Sequence, residues 1–385
     1  MNQTFLKLIF TLAAFIALTA CNTVSTPILD DATNAGDVNE VKRLLAKGYE
    51  PNVLTPSDGT PLHSAAKHAN VEIVELLLEA GAQTNMTDKD GNIPLHYAAE
   101  GGQMLIAHEL INKGASVNTF NNKHLTPLHL AALNGKTATA EFLVESGARI
   151  KDVDDHGYTA LHFAAREGWP ATVRFLVERG TPVDIKDSLG APPINHAAVN
   201  GKSDAVEALV TLGANINPKS GSPLAAAAKG GQDKTAKLLI QLGANPNGSS
   251  GDSIKPLYHA AREGHEDVVD ILLDGGADIR APDPLGRSAL FTAVMNDHTD
   301  VVEMLIERGA KVTEKDSNGN TLLHEAAANG NIKLTELFIR YKIDQKAKNK
   351  DGLTPLDRAV ENGHMHAARL MDPEIIERKK ELQNN

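Results

Sequence analysis

The feature that most constrains this chain is a recurrence. The stretch Thr126-Pro127-Leu128-His129-Leu130-Ala131-Ala132-Leu133-Asn134-Gly135 returns with small changes, as in Thr60 to Ala66 and Ile93 to Ala99. Its proline position falls at 61, 94, 127, 160, 193, 223, 256, 289, 322 and 355. Every step is 33 residues except one of 30, between Pro193 and Pro223. A period of this length means one small unit built many times, each burying its apolar face on its neighbours. Composition agrees: 42% of residues are hydrophobic but only 4% aromatic, so the core is made of Ala, Leu, Val and Ile. That suits closely stacked helices better than a globular enzyme core.

Each unit reads as a short helix, a turn, a longer helix and an extended finger. Thr60, Thr126 and Thr354 stand where an N-cap hydroxyl accepts an orphan amide hydrogen. Pro61, Pro127 and Pro355 follow at the first helical position, where a missing N–H costs nothing. Alanine pairs such as Ala65-Ala66 and Ala131-Ala132 allow close helix approach. The second helices carry apolar residues three and four apart, as in Val71, Val74, Leu77 and Leu78. Gly81, Gly114, Gly147 and their equivalents end them, where a left-handed residue is wanted. The fingers carry turn signals such as Asp88-Lys89-Asp90-Gly91 and Asp154-Asp155-His156-Gly157.

Period, caps and turns together resemble ankyrin repeats over residues 27–372. The resemblance implies an all-α solenoid of about eleven helix-turn-helix units with β-hairpin-like fingers. Projecting the 33-residue step back from Pro61 reaches Ile28, so the first unit is a degenerate cap with Asp30 where others carry His. Asp372-Pro373 cuts the last helix short, and residues 373–385 are expected to cap the C-terminal end. The finger before Pro223 has lost three residues, and the next one is Gly/Ser-rich. A change in curvature or a soft joint is therefore expected near residues 214–254. Lys342 replaces a C-cap glycine, which should weaken that junction.

The N-terminus reads differently. Residues 1–20 have the make-up of a signal peptide: Lys7, then an apolar run from Leu8 to Leu18 too short to span a bilayer comfortably. Leu18-Thr19-Ala20-Cys21 resembles the lipobox of bacterial lipoprotein precursors. That implies a lipid on the Cys21 sulfur, cleavage before it, and residues 21–26 as a membrane anchor. Asn22 after the cysteine favours the outer membrane facing the periplasm, within a bacterial cell envelope. Cys21 is the sole cysteine, which excludes intramolecular disulfides and Cys-based metal sites.

Fifteen histidines invite a catalytic or metal reading. His63, His96, His129, His162 and His324 share one repeat position, however, where the ankyrin resemblance implies a structural bridge between units. His364 and His366 are two apart on a helix and point to different faces. No phosphate loop, nucleophile elbow or zinc motif is present. We therefore expect no enzyme activity, no metal and no cofactor. The net charge of -11 argues against nucleic acid, and no small-molecule substrate is expected.

A protein partner is the remaining expectation. By the resemblance it would bind the concave face made by fingertips and the inner side of the first helices. The candidates there are Leu125, Leu133, Tyr158, Arg166, Trp169, Leu189 and Val199, apolar residues rimmed by charge. The face also takes in Lys219, Lys229, Asp252 and Ile254 further along. The expected function is a membrane-anchored, non-catalytic scaffold. The alternative is a regulatory or protective factor that inhibits or supports an envelope enzyme or toxin.

Overall fold

One copy of the repeat shows how these residues make their structure. Thr126 is extended (φ −89°, ψ 166°), and its hydroxyl accepts from the His129 amide, opening the helix Pro127–Leu133. Gly135 turns the chain at φ +65°, and the second helix runs Thr137–Glu145. Gly147, at φ +95°, then stops it. A β-carbon would be strained there, so glycine is the residue that ends these helices at little cost.

The computed structural model describes residues 26–55, 59–252 and 254–375, which hold 22 helices in eleven successive pairs. The signal peptide, Cys21 and most of the 373–385 segment lie outside the described residues. Pro373 to Ile375 is within them, and Ile375 packs on the small core of Ala327, Ala359, Ala367 and Ala368. The fingers close like hairpins: in one, the Asp88 amide donates to the Asn92 carbonyl at 2.9 Å. The backbone pairing goes no further than a lone bridge between Lys315 and Thr321 among the described residues. No helix among them is long and apolar enough to cross a membrane.

The chain divides into two compact units, one up to Pro193 and the other from Ile194. The three-residue deletion does not leave its segment unpaired. The Gly251 amide donates to the Lys219 carbonyl at 2.8 Å, and Asn217 Nδ2 donates to the Gly243 carbonyl at 2.9 Å.

In the first unit, Leu62, Leu95, Leu128 and Leu161 form one buried column, and Leu77, Leu110, Leu143 and Leu176 another. In the second, Ile194, Leu224, Leu257, Leu290 and Leu323 line up likewise, with Leu209, Leu239, Leu272, Leu305 and Phe338 behind them. Each such side chain contributes roughly 1.5–3 kcal/mol by leaving water. Alanine pairs beside them, such as Ala98-Ala99 and Ala260-Ala261, are fully buried and let neighbouring first helices approach closely.

A polar column joins the repeats at their other edge. Asn85 Nδ2 donates to the Gly114 carbonyl (2.8 Å) while its Oδ1 accepts from the Ser116 amide (2.8 Å). Asn118 repeats this with Gly147 and Arg149. The helix-ending carbonyls are satisfied in this way by the preceding repeat. Lys342 is held at φ +58°, a left-handed geometry in which the other copies have glycine.

Candidate functional site

The recurring histidines are settled by their partners. His96 Nδ1 accepts from the Ile93 amide (3.1 Å), so the ring proton sits on Nε2, which donates to the Leu125 carbonyl of the next repeat (3.0 Å). His63 makes the same bridge to Asn92, His129 to Asp152, His162 to Ala191 and His324 to Leu353. Burial pushes the pKa of His63, His96, His129 and His324 down, that of His96 to about 4. The neutral ring, with one donor and one acceptor, is the form these bridges need. They are building parts and offer nothing to a ligand.

Beside them runs a position that changes with every copy. Between the constant histidine and the alanine pair stand Ser64, Tyr97, Leu130 and Phe163 in the first unit. Leu130 and Phe163 are buried with Leu125, and Leu133 and Tyr158 pack on them. The Tyr158 ring stacks on His162 (5.4 Å between centroids) and meets Phe163 edge-on (5.7 Å). Phe163 also meets His129 edge-on at 5.7 Å, and the Arg166 guanidinium lies 5.2 Å over its ring. Arg166 Nε donates to Glu167 at 2.9 Å, which fixes its charge at the rim. Such aromatic contacts contribute about 0.5–1.5 kcal/mol each beyond area burial.

One copy earlier, Tyr97 donates its hydroxyl proton to Asp88 at 2.6 Å. Burial and that bond raise its pKa to about 12. The small Ser64 leaves a hollow of about 420 Å³ there, lined by Lys67, Asp88 and Tyr97. Its polar groups satisfy one another: Ser64 Oγ donates to Asp30 (2.8 Å), and the Lys67 ammonium lies 5.8 Å from the Tyr97 ring centre.

The structure places the seven sequence candidates unequally. Leu133, Tyr158 and Arg166 share the cluster just described and are half-buried. Leu125 is a correction: it is buried beneath the cluster, because its carbonyl serves His96 and its side chain fills the space under Leu130 and Phe163. Leu189 is 91% exposed at a fingertip. The tip is rigidly built: Asp187 Oδ1 accepts from the Leu189 and Ala191 amides, and the Ser188 amide donates to the His156 carbonyl. Val199 belongs to the second unit and is half-buried.

Trp169 has a role the sequence did not reveal. Its Nε1–H donates to the Leu133 carbonyl (2.9 Å), and its ring covers Gly135, where a β-carbon would stand 2.4 Å from Cδ2. His265 and His298, at the same repeat position, reach the Lys229 and Arg262 carbonyls in the same way. These side chains cap the end of the preceding repeat's first helix. Trp169 is still 41% exposed, so one side of the ring faces outward.

Sequence reasoning missed Tyr97, Leu130 and Phe163. The signal was present in the sequence itself: within an otherwise constant motif, theirs is the position whose residue varies from copy to copy. Among the described residues, no three His, Cys, Asp or Glu side chains are grouped to hold a metal.

The family model for ankyrin repeats (3 copies) matches residues 29–121, 106–187, 172–250, 224–316 and 312–378. The crystal structure of the human ASB11 ankyrin repeat domain is similar, with 32% identity and a TM-score of 0.52 over 57% of this chain and 99% of that one. A search of curated proteins finds no match. The ankyrin-repeat fold is typically a non-catalytic scaffold for protein–protein interaction. Helix pairs, histidine bridges, finger turns and matching segments all say that this chain belongs to the ankyrin-repeat family.

Proposed function

We propose that this chain is a membrane-anchored scaffold that holds a protein partner against the face formed by its fingers and first helices. The observation that carries the reading is the aromatic cluster of the first unit. Tyr158 and Leu133 rest on buried Leu130 and Phe163, with Arg166 over the ring and Leu189 projecting at a nearby fingertip. A rigid aromatic and aliphatic surface with an arginine at its rim is the usual composition of a binding hot spot. Several repeats in succession offer enough face for an interface of roughly 1,600 Å² in total.

Cys21 supplies the anchor in this reading. The support is the Leu18-Thr19-Ala20-Cys21 sequence and the position there of the chain's one cysteine. Few residues separate it from the first helix, Thr26–Asn34, so the repeats would be held close to the membrane of a cell envelope. Stable anchoring of this kind takes two or more acyl chains.

Two experiments test the two halves separately. Tyr158→Ala with Arg166→Ala should abolish recovery of crosslinked partners from an envelope extract while the melting profile stays within a few degrees of wild type. Unchanged recovery would remove the face from the proposal. Cys21→Ser should release the chain from membranes, and a variant that stays membrane-bound would remove the anchor.

A further inference from the structure

The chain contains six Asn-Gly pairs, with the asparagine at 134, 200, 247, 318, 329 and 362. Such a pair can react with itself. Glycine carries no β-carbon, so its amide nitrogen can approach the asparagine side chain closely. Whether it does so in a folded protein depends on how firmly the carboxamide is held.

Five of the six are held. Asn134 Nδ2 donates to the Leu130 carbonyl (2.9 Å), and Asn200 Nδ2 to that of His196 (2.8 Å). Asn329 Nδ2 donates to the Met295 carbonyl (2.9 Å), and Asn362 Nδ2 to that of Ala328 (2.8 Å). These four lie at the ends of first helices. Asn247 belongs to a finger, and its Oδ1 accepts from the Asp278 amide at 2.7 Å.

Asn318 differs. It is exposed at a fingertip, and its carboxamide has no hydrogen-bond partner among the described residues. Its backbone amide, by contrast, is pinned, donating to Asp316 Oδ1 at 2.9 Å. The glycine amide donates to the carbonyl three residues back in all six pairs, so it does not rank them. The side chain does.

We propose that Asn318 is a site of spontaneous main-chain rearrangement in the folded protein. The Gly319 nitrogen gives its proton to solvent and bonds to Asn318 Cγ. The Cγ–Nδ2 bond breaks, Nδ2 takes a proton from solvent and leaves as ammonia, and a succinimide ring remains. Water opens that ring at one of its two carbonyls, leaving either aspartate or isoaspartate at position 318. The isoaspartate carries the main chain through Cβ and Cγ, one carbon longer, and turns the old main-chain carbonyl into a free carboxylate. In the unreacted chain that carbonyl accepts from the Lys350 amide at 2.9 Å and ties two successive fingers together. The reaction therefore adds a negative charge at a fingertip of the second unit and loosens this tie. It needs no partner and no enzyme.

The test is peptide mapping by mass spectrometry of the purified full-length chain during incubation at mildly alkaline pH. Labelling with protein isoaspartyl methyltransferase separates isoaspartate from aspartate. Asn318 should convert at least about tenfold faster than each of the other five, the factor imposed when one hydrogen bond must break before reaction. In urea that unfolds the chain, the six rates should converge. As isoaspartate accumulates, exchange of the Lys350 amide should accelerate. Asn318→Asp adds the charge but keeps the main chain, and should leave that amide near its wild-type rate. Equal conversion at all six pairs in the folded chain, or an intact Asn318 after another pair has reacted, overturns the proposal. A ranking that persists in urea would place its cause in the flanking residues and overturns it as well. An unchanged Lys350 amide as isoaspartate accumulates overturns the loosening.

Discussion

The two units are built from one motif and yet use it differently. In the first, the bridging histidine is present in every regular copy, at 63, 96, 129 and 162, and each joins its repeat to backbone further along. In the second, that position reads Asn195, Ala225, Tyr258, Phe291, His324 and Asp357. The variable position beside it differs too. It is Ser64, Tyr97, Leu130 and Phe163 in the first unit, but His196, Ala226, His259, Thr292, Glu325 and Arg358 in the second.

A backbone clamped in every copy can support a water-excluding aromatic surface. The second unit loses clamps and gains polar and titratable side chains in their place. Some are knitted into a local network: Arg287 donates to Asp283 (2.6 Å) and to the Tyr258 hydroxyl (2.9 Å). Others keep a buried atom without a partner, Oδ1 in Asn195 and Nδ1 in His259. The difference teaches that regularity and binding chemistry trade against each other along one array. Ligand information lies where the copies disagree.

The comparison can be broken at several points, beginning with the largest effect. Phe163→Ala removes the ring that Leu125, Tyr158, His129 and Arg166 share. Local opening of the first unit, read by amide hydrogen exchange, should become easier by about 3 kcal/mol or more. A change below 1 kcal/mol would mean that the cluster does not hold this face together. His96→Ala leaves the Ile93 amide and the Leu125 carbonyl without their bridge. Exchange there should show a loss of about 2–3 kcal/mol, confined to the first unit.

Acid should separate the units by degree. His63, His96 and His129 have pKa values lowered by burial, so the unfolded chain takes up protons before the folded one. Their stabilisation is complete above about pH 6.5 and is lost as the pH falls toward the folded value, about 4 for His96. In the second unit His259 and His324 act in the same direction. Glu314 and Glu325 act oppositely there, since burial raises their pKa values and protonation favours the folded form. Between pH 7 and pH 5 the opening free energy, taken from exchange after correction for the intrinsic pH dependence of amide exchange, should therefore fall more in the first unit than in the second. An equal response in both would contradict the assignment of the histidine bridges as neutral clamps. The smallest expected effect is Lys342→Gly, which relieves a left-handed lysine and should stabilise the end of the second unit by about 1 kcal/mol in urea unfolding.

How much of this was legible in the sequence depended on whether local or long-range chemistry decided it. Helix starts at Pro61, Pro127 and Pro355, ends at Gly81 and Gly147, and finger turns at Asp88 and Asp154 were legible because each rests on residues a few positions apart. Leu125 was misjudged because its burial depends on Leu130 and on Phe163 in the next copy. Trp169 was read as surface for the same reason: its partners, Leu133 and Gly135, lie more than thirty residues back. The divide at Pro193 and Ile194 left no local mark, whereas the deletion before Pro223 did.

The central claim, that the finger-and-first-helix face of the first unit takes the partner, is tested most directly by position-specific photocrosslinking in cells. A photoreactive phenylalanine would replace Leu189 at its fingertip in one full-length variant. In another it would replace Leu105, which is equally part of the first unit but exposed at the start of the helix Met104–Asn112. The account predicts a discrete protein adduct at Leu189 and none at Leu105. An adduct at Leu105 with none at Leu189 would contradict it.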